Sequence, residues 1–396
     1  MQFTNFSQLD LSRLPSPCFV VDEVAVERNL KILNDIQVRS GAKVLHALKA
    51  FSMWSLAPLT TRYLSGTCAS GLHEAKLGLN EYGGEVHVFS AAYSQEDLAE
   101  LLTFADHIVF NSCSQLLRYG KQCEEARRKR PELQFGLRIN PEHSEGDTPI
   151  YDPCAEGSRL GVTRDQLDVY LAQDEFRTAF SLISGLHFHT LCEQDFLPLQ
   201  RTLTVVEEKF SDLLADMSWI NLGGGHHITR TDYQRDALVD CIAGLKQRYS
   251  VEVYLEPGEA VAIGTGVLVT EVLDICFNQQ PLAILDSSAT CHMPDTLEMP
   301  YRADILGEVQ PATSTYDYRL GGLTCLAGDV MGDYSFDHPL KVGDRLIFED
   351  MAHYTMVKTT TFNGTKLPAI AIWNSDTDEL QVVRTFNYKD FVNRLS

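Results

Sequence analysis

The sequence predicts a (β/α)8 barrel joined to a second, all-β domain. Between residues 42 and 258, eight short apolar runs alternate with longer stretches in which apolar residues recur at helical spacing. After residue 262, β-rich runs follow one another at short spacing, and few segments suit an amphipathic helix. Eight strands, each with room for a helix after it, are typical of a (β/α)8 barrel. A doubly wound open sheet is the alternative arrangement.

The elements can be assigned in order along the chain. The opening run 16–22 alternates like a strand and is assigned to the β domain, and a first helix is predicted over 22–36 with Val26, Leu30 and Leu33 on one face. The barrel strands are predicted at 42–51, 66–70, 85–90, 107–111, 134–140, 184–190, 219–225 and 251–258. The expected boundaries are 28–262 for the barrel, and 1–27 plus 263–396 for the β domain.

The charge balance excludes some classes of partner. The 396 residues carry 33 Lys and Arg against 54 Asp and Glu, which gives a formal net charge of −21. Binding to nucleic acid or to an anionic membrane surface requires a cationic face, so neither is expected. An acidic cleft could attract a small cation, although the net charge alone is explained as well by solubility.

The cysteine pattern and the N-terminal segment indicate the cellular compartment of the protein. Ten cysteines are scattered from Cys18 to Cys325 without a Cys-x-x-Cys pair, which supports neither a zinc site nor a disulfide framework. The N-terminal segment does not read as a signal peptide, and no apolar run reaches about 18 residues. We therefore expect a cytoplasmic protein with reduced thiols and no bound metal.

Polar residues mark the ends of the predicted barrel strands. In a (β/α)8 barrel these carboxyl ends share one face, where active sites lie. We therefore expect the residues at the strand ends to converge, whatever their separation in the chain. They are Lys49, Ser70, Ser90, Asn111, Arg138 with Asn140, His189, the Gly223–Gly225 run with His226, and Glu256.

Three of these strand ends suggest chemistry. A lysine such as Lys49 can simply extend to water, but desolvation in an apolar strand lowers the pKa of an amine and lets it act as a nucleophile. The run Gly223–Gly225 is either a tight turn or a place where backbone N–H groups approach a phosphate. Glu256 is either a solvated loop charge or the partner of a protonated pyridine ring, which is the better electron sink.

The histidine pairs do not indicate a metal site. His187 and His189 lie on one predicted strand, and only one of them is expected to face the barrel interior. His226 and His227 are adjacent and make an equally poor chelate. In the β domain, Cys325 before a Gly-Asp turn and Tyr354 are weaker candidates, and such a cysteine is more often structural than reactive.

With these residues in order along the chain, the sequence resembles the fold-type III pyridoxal-phosphate (PLP) decarboxylases, the relatives of ornithine and diaminopimelate decarboxylase. The resemblance extends from Lys49 to the segment 361–364. It implies an alanine racemase-like barrel with a β domain and bound pyridoxal 5'-phosphate. It also implies a homodimer in which the β domain contributes to the dimer interface and to a shared active site.

The resemblance also implies residue roles. Lys49 matches the lysine that carries PLP, and Cys325 matches a catalytic cysteine donated by the other subunit; either would return a proton to the α-carbon. His189 matches a histidine that stacks on the cofactor ring, and Glu256 matches the partner of the ring nitrogen. The full set of implied cofactor-binding residues is Lys49, Arg138, His189, Gly224, Gly225, Glu256 and Tyr354.

Departures from the family pattern point to the substrate. Glu259 stands where the family usually has an arginine after Glu-Pro-Gly, which argues against a distal carboxylate and for a distal amine. Cys192 replaces a usual serine, and Leu326 replaces a usual acid after the cysteine, which weakens the case for ornithine. The chain looks most like the carboxynorspermidine decarboxylases, which make norspermidine or spermidine. The candidate acidic ligands for the ammonium groups are Glu259, Asp295, Asp286 and Asp329.

The motifs leave other functions open. The substrate could be another basic amino acid, such as ornithine, lysine or diaminopimelate. An amino-acid racemase on the same fold would need a second base on the opposite face of the cofactor. A non-catalytic PLP-binding protein is a further alternative, and a sugar-phosphate barrel enzyme does not explain Lys49 and Glu256 together.

Overall fold

The computed structural model describes residues 4–146, 148–313 and 315–396. Contacts divide the chain into two compact units, Asn29–Val261 and Met1–Arg28 with Ala262–Ser396. The boundaries expected from the sequence, 28–262 for the barrel, differ from this division by one residue at each junction. We call the first the barrel unit and the second the β unit.

The strands are numbered in chain order. They are β1 (Cys18–Asp22), β2 (Lys43–Ala47), β3 (Gly66–Ala69), β4 (Glu85–Phe89), β5 (His107–Phe110), β6 (Gln134–Arg138), β7 (Ile183–His187), β8 (Trp219–Asn221), β9 (Glu252–Leu255), β10 (Gly266–Asn278), β11 (Gln280–Leu285), β12 (Tyr316–Gly321), β13 (Val330–Phe336), β14 (Arg345–Phe348), β15 (Ala369–Asn374) and β16 (Glu379–Arg384).

The α-helices lie mostly between the strands of the barrel unit. They are α1 (Glu23–Ser40), α2 (Ala57–Thr60), α3 (Leu72–Leu77), α4 (Gln95–Leu101), α5 (Cys113–Lys129), α6 (Arg164–Leu171), α7 (Asp174–Phe180), α8 (Phe196–Leu214), α9 (Arg235–Tyr249), α10 (Glu259–Ala262), α11 (Ala289–His292), α12 (Asp295–Glu298) and α13 (Tyr388–Val392). None of the helices in the described residues combines the length and apolar composition needed to cross a lipid bilayer.

Strands β2–β9 form a closed parallel barrel, which confirms the predicted fold class. The first and last strands pair directly, with Lys43 opposite Tyr254 and Val44 opposite Leu255. This closure excludes the doubly wound open sheet. Helix α1 buries Val26, Leu30 and Leu33, the three residues assigned to its apolar face.

The predicted strands extend beyond the observed strands at their carboxyl ends. Strand β2 ends at Ala47 and β7 at His187, so Lys49 and His189 lie two residues beyond their strands. The apolar run continues because Leu48 and Ala50, in the turn after β2, are buried like strand residues. The strand-end residues therefore lie in the loops of the active-site face and not within the strands.

An ion-paired network closes the amino end of the barrel. The Nζ atom of Lys43 lies 2.6 Å from Glu85 Oε1 and 3.1 Å from Glu252 Oε2, and His87 Nε2 lies 2.9 Å from Glu85 Oε2. The rings of His87 and His107 stack at 3.8 Å. Stacked imidazoles direct their in-plane lone pairs along nearly parallel planes, so this arrangement suits packing and charge pairing better than chelation of one ion.

The β unit is built on one mixed, mostly antiparallel sheet. Its strand order is β13-β12-β11-β10-β1-β15-β16, with β14 also paired to β10. Strand β1, from the start of the chain, lies between β10 and β15. Along β1, Phe19 packs into one apolar cluster while Cys18 and Val20 pack into another, because successive strand residues face opposite sides of a sheet.

Candidate active site

A continuous hydrogen-bond network joins the loops at the carboxyl ends of the barrel strands. The guanidinium of Arg138, the last residue of β6, donates to the backbone oxygen of His189 over 3.1 Å. The N–H of Gly224 donates to Nδ1 of His189 over 3.0 Å. The N–H of Glu256 donates to the backbone oxygen of Gly223 over 2.8 Å. The strand ends after β6, β7, β8 and β9 are thus brought together as the sequence predicts.

The glycine run after β8 is shaped by close backbone approach. Gly223 and Gly225 have φ values of +70° and +82°, a region that favours glycine. A Cβ atom on Gly224 would lie 2.1 Å from the backbone oxygen of Glu256. Among the hydrogen bonds of the described residues, none uses the N–H of Gly225 or of His226. These two donors are therefore available to an anion such as a phosphate.

Glu256 is an ionised carboxylate held by two polar neighbours. Its side chain is 14% exposed, its Oε1 accepts from Asn221 Nδ2 over 2.7 Å, and its Oε2 lies 3.4 Å from His187 Nε2. Burial by itself raises the pKa of this carboxyl, but His187, His189 and the hydrogen bond from Asn221 outweigh that effect and hold the pKa below its ordinary value. Glu256 is therefore charged at neutral pH and can pair with a protonated ring nitrogen.

Burial lowers the pKa values of His189 and Arg138. Burial, followed by the positive charges of Lys49 and Arg138, holds the pKa of His189 well below its ordinary value. Its Nδ1 accepts the Gly224 hydrogen bond, so the ring is neutral with its proton on Nε2. The guanidinium of Arg138 lies 4.5 Å from the ring centroid of Phe89, and burial lowers its pKa to about 10. Arg138 therefore remains charged at neutral pH.

Lys49 lies in the turn after β2 and is exposed, between the buried residues Leu48 and Ala50. Its charge is one cause of the lowered pKa of His189, which places the amine within electrostatic reach of that ring. An exposed amine on a turn with buried neighbours combines access with a fixed backbone. That combination suits a lysine that must reach a bound carbonyl compound.

The charge reversal at Glu259 is matched by a buried histidine. Glu259 begins α10, its side chain is 13% exposed, and its Oε1 lies 3.3 Å from Nε2 of His227. The charge of Glu259 also contributes to raising the pKa of Cys192 to about 11, after the effects of burial and Glu193. The two departures from the family pattern, Glu259 and Cys192, therefore lie near each other.

The β unit presents Cys325 on an exposed loop between β12 and β13. The N–H of Cys325 donates to Oδ1 of Asn363 over 2.8 Å. Leu323, Leu326 and Phe362 beside it are 46%, 46% and 45% exposed. A thiol surrounded by exposed apolar side chains is typical of a surface that meets another protein surface.

Tyr354 also belongs to the β unit. Its φ of +53° is uncommon for an aromatic residue. A side chain held in that region by its surroundings is often found at a functional site.

The three acidic candidates in the β unit are engaged by neighbouring groups. Asp329 is 4% exposed and accepts from the Ser288 and Thr324 hydroxyls and from the N–H groups of Thr290 and Thr324. Asp286 accepts from the Thr270 hydroxyl and a backbone N–H. Asp295, together with Glu298, binds the ammonium of Lys358. These contacts engage all three carboxylates with groups of the β unit itself.

One expectation about the histidines is wrong. Both His187 and His189 take part in the network, and side chains two positions apart on a strand point to the same face, so alternation gives no reason to expect only one of them inside. Strand β7 ends at His187, so His189 lies in the following loop and strand alternation does not apply to it. Sequence reasoning also assigned no role to Asn221 or His227; an asparagine directly before the glycine run was the signal that could have pointed to Asn221.

Comparison with known proteins agrees with this geometry. The family model described as "Pyridoxal-dependent decarboxylase, C-terminal sheet domain" matches residues 18–352. A carboxyaminopropylagmatine decarboxylase of Synechocystis is 45% identical over 97% of this chain and 96% of its own length. A carboxynorspermidine/carboxyspermidine decarboxylase of Campylobacter jejuni is 40% identical over 96% of this chain and 98% of its own length.

Solved structures agree with these sequence matches. The crystal structure of carboxynorspermidine decarboxylase complexed with norspermidine from Campylobacter jejuni has a TM-score of 0.86 and 38% identity, covering 96% of this chain and 100% of that one. This relative and the full-length sequence matches confirm the resemblance inferred from the motifs. The chain is a decarboxylase and belongs to the pyridoxal-dependent decarboxylase family.

Proposed function

We propose that this decarboxylase uses PLP to convert carboxynorspermidine or carboxyspermidine to norspermidine or spermidine, a step of polyamine biosynthesis. The observation that carries the proposal is Glu259, a partly buried carboxylate paired with His227 at the start of α10, three residues after Glu256. A carboxylate at this place suits a cationic chain better than a substrate with a distal carboxylate. The relatives that match nearly the full length support the same substrate class.

The residues present fit PLP. Among the described residues, the N–H groups of Gly225 and His226 have no protein acceptor, and a carboxylate with a pKa of about 2 follows the next strand. The N–H groups of Gly225 and His226 would hold the phosphate, Gly224 would line the same turn while it donates to His189, and Lys49 would hold the aldehyde carbon. Tyr354 stays a candidate for the phosphate site, as the family resemblance implies. Glu256 would face the ring nitrogen, with His189 on the ring and Arg138 beside it. When bound, PLP supplies the electron sink for the pair of electrons that carbon dioxide leaves behind.

Individual residues of the chain have separate roles in the reaction. Glu256, ionised at neutral pH, favours a proton on the ring nitrogen. The neutral ring of His189 packs without adding a positive charge, since its Nδ1 accepts from Gly224. Lys49, or Cys325 from a second subunit, returns a proton to the α-carbon after carbon dioxide leaves.

The shared site requires a homodimer, which we include in the proposal. Its support in this chain is the exposed Cys325 with Leu323, Leu326 and Phe362 around it. Burying these apolar side chains against a second copy would favour association. Light scattering on the purified protein should give twice the mass of one chain, and a monomeric mass that retains full activity would contradict the shared site.

A cytoplasmic location stays part of the proposal. Its support is that all ten cysteines lie in the described residues and none is in a disulfide.

A second substrate of the same class is favoured by one observation. The carboxyaminopropylagmatine decarboxylase of Synechocystis is 45% identical to this chain. An agmatine end carries a planar guanidinium, which pairs with a carboxylate through two parallel hydrogen bonds. Glu259 could serve either end group, so the two substrates must be compared directly.

A decarboxylation assay tests the proposal. Purified holoenzyme is given carboxynorspermidine, carboxyspermidine, carboxyaminopropylagmatine, ornithine, lysine and diaminopimelate, and carbon dioxide and product are measured. We expect turnover of the carboxylated polyamines and little turnover of the three amino acids. Formation of the opposite enantiomer without carbon dioxide would instead favour a racemase, and no turnover of any compound would favour a non-catalytic PLP protein.

Variants of Glu259 test the substrate contact. A hydrogen bond to a charged group contributes about 1.5–3 kcal/mol, so Glu259→Gln should lower kcat/KM for the preferred polyamine by about tenfold to a hundredfold. Glu259→Arg should lower it further. The matched control is Glu207→Gln, which removes a surface carboxylate paired with Arg248 and should leave kcat/KM unchanged. Polyamine turnover that survives both Glu259 variants would rule out this contact.

A further inference from the structure

His187 is a buried residue to which neither the sequence motifs nor the family comparison gives a role. It ends β7, is 2% exposed, and lies with Nε2 3.4 Å from Oε2 of Glu256. Within the described residues, neither ring nitrogen of His187 makes a hydrogen bond. A buried imidazole with unsatisfied nitrogens is unfavourable unless a partner is completed in the working state.

The surroundings of His187 fix its ring in place. Its ring centroid lies 5.4 Å from that of Phe89, and Arg138 lies over the same Phe89 ring at 4.5 Å. Burial is the largest cause that lowers the pKa of His187, and the charges of Arg138 and His87 act in the same direction against that of Glu256. The ring is therefore neutral at neutral pH, with one N–H able to donate.

The other oxygen of Glu256 is held by Asn221. The amide Nδ2 of Asn221 donates to Glu256 Oε1 over 2.7 Å, while its Oδ1 accepts from the N–H of Gly223 over 2.9 Å. One asparagine thus connects the carboxylate to the start of the glycine run. The two oxygens of Glu256 face different neighbours, Asn221 on one side and His187 on the other.

We propose that His187 is a positioning residue for Glu256: its imidazole fixes Oε2 while Asn221 fixes Oε1, so that the carboxylate is presented to the cofactor's ring nitrogen. The inference rests on the proposed pairing of Glu256 with that nitrogen. A neutral imidazole orients the carboxylate without placing another cation beside a ring nitrogen that must itself stay protonated. A charged partner at this place would oppose that proton.

The test uses holoenzyme loaded with PLP that carries ¹⁵N at the ring nitrogen. The chemical shift of this nitrogen distinguishes the protonated ring from the unprotonated ring. His187→Phe keeps the ring packing against Phe89 and removes both nitrogens. We expect its resonance to move toward the unprotonated form and kcat to fall about tenfold, with KM changed by less than about twofold. His187→Gln, whose amide can donate to Glu256, should recover most of the shift and of kcat.

The controls separate the possible outcomes. His107→Phe removes a buried imidazole at the opposite end of the same barrel and should leave the resonance unchanged. An unshifted nitrogen resonance with normal kcat in His187→Phe would overturn the proposal. The proposal would also fail if His187→Phe and His187→Gln lost kcat equally without any shift of the resonance, because that result indicates a packing role alone. If His187→Phe does not fold, His187→Met replaces it, because methionine is close to glutamine in length but has no donor. An unshifted resonance in Glu256→Gln would instead show that Glu256 does not contact the ring nitrogen.

Discussion

At the scale of single residues, the site depends on a few charges whose surroundings differ sharply. Glu256 is buried and ionised because Asn221 and His187 surround it, whereas Lys49 is exposed on its turn. The same barrel face therefore holds a fixed anion and an accessible amine.

Covalent trapping tests the residue that holds the cofactor. Borohydride reduction of the holoenzyme, followed by proteolysis and mass spectrometry, should find the pyridoxyl group on the peptide that contains Lys49, because its exposed amine can reach a bound aldehyde. Lys49→Ala should yield no labelled peptide and lose the visible absorption of the bound cofactor. The matched control is Lys43→Ala at the start of β2, the strand that precedes Lys49. The amine of Lys43 is paired with Glu85 at the other end of the barrel, so this variant should be labelled at Lys49 like the natural protein. A label on any other lysine would show that the anchor is misassigned.

At the scale of elements, the sequence predicted the strands better than their ends. All eight barrel strands lie where the apolar runs predict them, because each run is separated from the next by a stretch of helical spacing. The ends were wrong because the loops of the active-site face are themselves buried, as Leu48 and Leu222 show. No local signal marks where a strand ends when the following loop is equally apolar.

Side-chain contacts between distant segments were beyond prediction from the sequence. Asp329 accepts a hydrogen bond from the hydroxyl of Ser288, 41 positions earlier, and no local sequence pattern indicates this contact. Asn221 and His187 were missed for the same reason, since their partner Glu256 lies at the end of another strand. The residue types at the strand ends could be predicted from the sequence. Their hydrogen-bonding and charged partners could not, because these partners are brought together only when the barrel closes.

A glycine in β7 tests how the barrel interior is filled. A Cβ atom on Gly185 would lie 2.0 Å from the ring of Trp219 on the neighbouring strand β8. Both residues are in the barrel sheet, so Gly185→Ala should destabilise the protein by about 1–3 kcal/mol through overpacking, measured as a lowered thermal unfolding midpoint. Combining it with Trp219→Phe should restore part of the loss.

The matched control for this substitution is Gly71→Ala. A Cβ atom at Gly71 meets no other atom within 4 Å, so this change should be nearly neutral. If Gly185→Ala unfolds at the same temperature as the Gly71 variant, the indole ring does not fill the space beside β7 as the structure shows.

At the scale of the whole molecule, acid stability follows from buried histidines. Burial lowers the pKa of His107 to about 2, of His226 to about 3, and of His46 and His292 to about 4, against an ordinary value of 6.5. Between those values the unfolded chain binds protons that the folded chain does not. Stability is therefore fully present above about pH 6.5 and falls as the pH drops below it.

The expected change of the unfolding free energy with pH can be measured. Each such imidazole removes about 1.4 kcal/mol of unfolding free energy per pH unit once the unfolded form is protonated. Urea unfolding of the holoenzyme at several pH values from 7.5 to 5 should therefore show a steady loss, and His107→Phe, which keeps the stacking on His87 and Trp219, should reduce the slope by about one group's share. His338→Gln alters a histidine that is 65% exposed and should leave the slope unchanged. Equal slopes in the natural protein and in His107→Phe would mean that His107 can take up a proton in the folded barrel, contrary to its enclosed position.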